Sequence, residues 1–83
     1  MAPSIAYAIP ADVDAKGTQV RLQVFDIRGR VVRTLVNTKQ SAGRYAVQWD
    51  GSDDAGKPVS SGVYFYRLQT AQFSQTHKMM MLK

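Results

Sequence analysis

Apolar and polar residues alternate along most of this chain with a period of two, the spacing at which successive side chains fall on opposite faces of a β-strand. Ile5, Tyr7 and Ile9 stand against Ser4, Ala6 and Ala8 in a first strand that Pro10 ends, because proline has no N–H to give a ladder. Residues 11–17 gather Asp12, Asp14, Lys16 and Gly17 into a polar turn. From Gln19, the pattern sets Val20, Leu22 and Val24 against Arg21, Gln23 and Phe25, a central strand leading through Asp26 and Ile27 into a reversal at 27–30. Gly29 supplies the positive φ which that reversal needs. Residues 31–36 return as a valine-rich strand, since a single helical turn there would have no amphipathic partner. Residues 37–43 read as a polar loop.

The second half is organised around Trp49 to Leu68. Tyr45, Val47 and Trp49 share one face of a strand over 44–50, and Trp49 is expected to cap one end of the core with its indole N–H on a backbone acceptor. A turn over 50–61, rich in Asp, Ser and Gly, leads to a strand over 63–71 with Tyr64, Tyr66 and Leu68 on one face and Val63, Phe65 and Arg67 on the other. The two strands with their turn read as a hairpin-like unit. A reversal at 70–72 then starts a last strand within 73–83, where either parity of Met79, Met80, Met81 and Leu82 could bury a residue. Six or seven strands with turns every seven to twelve residues predict an all-β fold, an antiparallel β-sandwich.

Composition fits one domain over residues 1–83. A chain this short buries only about 60% of its unfolded surface and cannot divide it between two cores. The complete absence of glutamate, a common surface residue of helices, points the same way as the strand pattern. No cysteine is present, so there is no disulfide framework and no thiolate ligand or nucleophile. No apolar run approaches the roughly 20 residues of a membrane-spanning helix, so no transmembrane insertion is expected. The net charge of +5 is dispersed apart from Arg28, Arg30 and Arg33. It would attract nucleic acid, an anionic glycan or a membrane surface, but a solvated basic face is the simpler reading and no nucleic-acid partner is expected.

Candidate chemistry is sparse. Asp50, Asp53 and Asp54 on a glycine-bearing loop invite a calcium reading, yet their spacing is not that of an EF-hand and no Glu closes the shell, so turn-forming carboxylates are preferred and no metal or cofactor is expected. His77 has no His, Cys or Glu near it. Ser41, Ser52, Ser60 and Ser61 lack any motif that would activate a nucleophile, and no glycine-rich phosphate cradle opens a helix. Catalysis is not expected. Tyr7, Tyr45, Trp49, Tyr64, Phe65 and Tyr66 could form a sugar-binding platform if two rings lay coplanar and exposed; their alternating positions favour the core.

A family resemblance rests on Val20-x-Leu22-x-Val24-Phe25-Asp26-x-x-Gly29-Arg30-x-Val32, then Leu35, Gly43, Trp49-Asp50-Gly51, Asp54-x-Gly56, Val59, Ser61-Gly62-Val63-Tyr64-Phe65 and the basic-apolar ending Lys78-Met79-Met80-Met81-Leu82-Lys83. Together these resemble the C-terminal immunoglobulin-like domain of secreted bacterial proteins. That group includes the type A sorting domains of the type IX secretion system and is similar to the Ig-like domain of the flagellar hook-capping protein. The sorting side of the resemblance implies a non-catalytic domain, covalently part of a larger secreted cargo. It would be recognised by secretion-system proteins at the outer membrane after passage through the periplasm, leaving its parent secreted or on the surface of a Gram-negative cell. The Asn-Pro-rich segment that often precedes the first strand of that group is missing. The same resemblance places partner recognition on the late motifs, at Gly62, Tyr64, Tyr66, Lys78, Met80, Leu82 and Lys83. Asp26, Gly29, Trp49, Asp50, Gly51, Asp54, Gly56 and Gly62 then act as its fold signature. The alternatives are a hook-cap-like assembly domain and an accessory module, glycan-binding in one version, of a glycan-degrading enzyme.

Overall fold

The computed structural model describes residues 3–11 and 16–82. The polar turn expected at Asp12 and Asp14 and the recognition residue Lys83 lie outside them. Six strands follow in order: β1 (Ser4–Ile9), β2 (Thr18–Phe25), β3 (Val31–Gln40), β4 (Gly43–Gln48), β5 (Gly62–Gln69) and β6 (Ser74–Met81). They form two antiparallel sheets, β1–β4 and β3–β2–β5–β6.

The larger sheet is built on β2. Its residues Val20, Leu22 and Val24 are fully buried, and each such aliphatic side chain contributes roughly 1.5–3 kcal/mol when taken from water. Ile5 and Ile9 from β1 close over Val20, Leu22 and Leu68, while Trp49, Tyr64 and Met81 gather around Val24 at the other end. Two register shifts between β2 and β3 leave Leu35 and Val32 without a directly opposed residue. A bulge of this kind re-aims the strand, and both side chains pack against the buried clusters. The register of β6 settles the parity of the methionines. Gly62 opposes Met81 and Val63 opposes Met80, so Met81 is buried and Met80 exposed.

Two expectations change. Residues 37–40 are not loop but the second half of β3, where Gln40, Lys39, Thr38 and Asn37 pair with 18–21 of β2. Their side chains are mostly exposed, so the strand leaves no apolar trace; its backbone ladder supplies the order. The Trp49-to-Leu68 unit is not a hairpin either, because β4 belongs to the small sheet and β5 to the large one. The segment between them crosses from sheet to sheet. It is held by a Ser52–Pro58 bridge, by Val59 N–H donating to the Gly51 carbonyl (2.9 Å) and by Asp54 N–H donating to the Val32 carbonyl (2.9 Å).

Candidate partner-binding face

The acidic turn is occupied with its own backbone. Asp50 Oδ1 accepts from Ser52 N–H (3.0 Å) and the Ser52 hydroxyl (2.5 Å), and these bonds, the hydroxyl's first, hold its carboxyl below the usual range. Asp53 Oδ1 takes the N–H groups of Ala55 (3.0 Å) and Lys57 (2.9 Å). Asp54 Oδ1 reaches across to Thr34 N–H (2.9 Å), tying the crossing segment to β3. The three carboxylates therefore serve separate donors, and among the described residues no group of three acidic or imidazole side chains converges on a metal position. Asp26 repeats the device in the β2–β3 turn. It accepts from Arg28 and Arg30 N–H and pairs with Arg30 Nε at 3.1 Å, and its carboxyl is lowered chiefly by the Arg30 backbone bond. These signature residues are local scaffolding. Trp49 completes the set, its indole N–H donating to the Ser52 carbonyl at 2.8 Å as its chemistry requires.

The structure divides the seven residues expected at a recognition site. Tyr64 is buried edge-on to Trp49 (centroids 5.1 Å apart, planes at 69°), and its hydroxyl donates to the Ser60 carbonyl (2.7 Å). Tyr66 also packs against the core and stacks on the exposed His77 at 5.3 Å. Gly62 is half-buried at the start of β5. Lys78 and Met80 instead project from β6 to the other side of the sheet, and Leu82 is exposed just beyond it. β6 is an edge strand, and among the described residues no strand pairs with its outer side.

The face shared by Lys78 and Met80 carries residues that the alternation pattern had assigned only to the other side of a central strand. Phe25, Phe65 and Lys78 are opposed in register across β2, β5 and β6, as are Gln23, Arg67 and Thr76. Arg67 lays its guanidinium 4.6 Å from the centre of the Phe25 ring, a cation–π arrangement. Its Nε is buried without a hydrogen-bond partner. Phe25, Ile27, Phe65, Arg67 and Thr76 border an open concavity of about 310 Å³. The bulk carried on both faces of 63–67 was the one signal for this surface in the sequence. An exposed aromatic pair suited to a sugar is not formed. Tyr7 and Tyr45 stack on each other at 5.4 Å with hydroxyls donated to Gln40 Oε1 and the Ser41 carbonyl, and none of the described aromatic residues is fully exposed.

The family described as the FlgD Ig-like domain matches residues 4–73. This chain belongs to the FlgD Ig-like domain family. Among solved structures, the FlgD-type fold recurs in the crystal structure of FlgD from P. aeruginosa, at 26% identity and a TM-score of 0.62, with 94% of this chain and 58% of that one covered. The chain thus spans little more than half the length of that FlgD. No curated protein matches it. The family match contains every signature residue from Asp26 to Gly62 and stops before β6. Neither match is to a type IX sorting domain, the group the sequence resemblance put first; both fall on the hook-cap side of it.

Proposed function

We propose that this chain is a non-catalytic assembly module of the FlgD type, a rigid Ig-like sandwich that presents a surface to other proteins in a hook-cap-like scaffold. The observation that carries this reading is the FlgD Ig-like match over residues 4–73. The internal geometry agrees with it: carboxylates are spent on turns, and the open surface is an aromatic and cationic sheet face. The test is a chimaera in which this chain replaces the corresponding Ig-like part of P. aeruginosa FlgD. The reading predicts assembled hooks. A chimaera that is folded and exported yet builds none overturns it.

A sorting role in type IX secretion is the second reading, favoured by the edge position of β6, which leaves a basic-apolar strand open to pairing by a partner. It makes the secretion proteins of the outer membrane the partners and the cell surface the destination. Fusing the chain to an inert periplasmic reporter separates the two: surface delivery supports sorting, and retention in the periplasm supports the assembly module.

A further inference from the structure

From the outer face of the four-stranded sheet we infer the chemistry of its partner: an acidic protein segment with apolar side chains between its carboxylates, docked across β2, β5 and β6. The inference rests on the assembly reading and names what that module would hold. Charge selects the partner. Arg21, Arg67 and Lys78 lie on this side of strands that carry no carboxylate at all, and Asp26 at its margin is already paired with Arg30. Arg67 in addition is held by the Phe25 ring, which sets its half-buried guanidinium on this face. A carboxylate is the acceptor that a guanidinium takes most strongly. The apolar component is as definite. Ile27 is 74% exposed and Met80 54%, on either side of the half-buried Val63 and Phe65.

These features separate a protein segment from the other anions. A nucleic acid or a sugar would use an aromatic face for stacking, but Arg67 covers that of Phe25. Exposed Ile27 and Met80 offer nothing to a phosphate backbone, whereas leucine or phenylalanine side chains of a peptide would pack on them. A second copy of this chain docking by the same face would bring the same cations and be repelled.

The probe is a synthetic peptide alternating glutamate with leucine, titrated into the 83-residue chain and followed by backbone amide NMR shifts, beside its glutamine counterpart and a DNA duplex. The expected result is saturable binding with shifts concentrated on residues 25–27, 63–67 and 76–80. Affinity should fall about tenfold each for Arg67→Met and Lys78→Gln, the equivalent of one charge-assisted contact, and further for the glutamine peptide, which loses every such contact. Lys78 is exposed, so its variant keeps the test valid if Arg67→Met fails to fold. Equal binding of the glutamine peptide, shifts confined to other surfaces, or tighter binding of DNA would overturn the inference. If the FlgD chimaera assembles hooks while the peptide does not bind, this inference fails and the assembly reading stands. Specific peptide binding without hook assembly leaves the inference standing and removes the assembly reading.

Discussion

Replacing Gly51 with alanine tests how the last strand is held. Gly51 sits in the left-handed region at φ +79°, directly after Trp49-Asp50, and a Cβ built on it runs into the terminal methyl of Met81. Met81 is 2% exposed and packed with Trp49, Tyr64 and Val24, so its methyl has little room to retreat. Two costs add. An L-residue in the left-handed region loses about 1–2 kcal/mol, and overpacking a filled core costs typically another ~1–3 kcal/mol. Gly56 provides the control: φ is +84° and a Cβ there meets nothing within 4 Å, so Gly56→Ala carries the backbone cost alone. Urea unfolding should therefore place Gly51→Ala below Gly56→Ala by about 1–3 kcal/mol at unchanged m-value. In a Met81→Ala background that gap should close, a coupling expected only of residues in contact. Equal midpoints for the two glycine variants would refute the wedge between the turn and β6.

Removing the hydroxyl in Tyr64→Phe abandons the Ser60 carbonyl and should cost about 0.5–1.5 kcal/mol, read by the same unfolding curves through the single buried Trp49. Asp26 titrates below its unfolded value, so its contribution is present above about pH 4 and is lost as pH falls through the folded value. Stability measured from neutral to strongly acid pH should therefore decline less steeply in Asp26→Asn than in the parent chain. Millimolar calcium should leave the thermal midpoint unchanged, because the Asp50, Asp53 and Asp54 carboxylates serve separate backbone donors; a rise of several degrees would show that the turn reorganises around the ion.

Where one face of a strand is buried, the sequence shows it plainly. Ile5 and Ile9, Val20 to Val24, and Tyr64 and Leu68 all take the positions that alternation assigns, since a shift of one residue would expose every one of them. The second half of β3 was illegible because its order comes from a backbone ladder and its mostly exposed side chains carry no period. The crossing at 50–61 was illegible for another reason. Turn residues mark that the chain reverses, but whether β4 and β5 then share a sheet depends on β1 and β2, which lie far away in sequence. For the candidate site, the family resemblance placed Lys78 and Met80 among its late motifs, but that they face outward depended on the β5–β6 register. Arg67 and Phe25 were not legible, because their pairing depends on the β2–β5 register and neither residue type alone signals a surface.

We place the working surface of the chain on the outer sheet face and not on the acidic turn. Hook assembly by the FlgD chimaera tests it most directly, with Lys78→Glu compared against the double variant Asp53→Asn, Asp54→Asn, each first shown to fold. Charge reversal on β6 should sharply lower the number of assembled hooks, while the turn variant should keep them. Normal assembly with Lys78→Glu, together with loss in the turn variant, would contradict it.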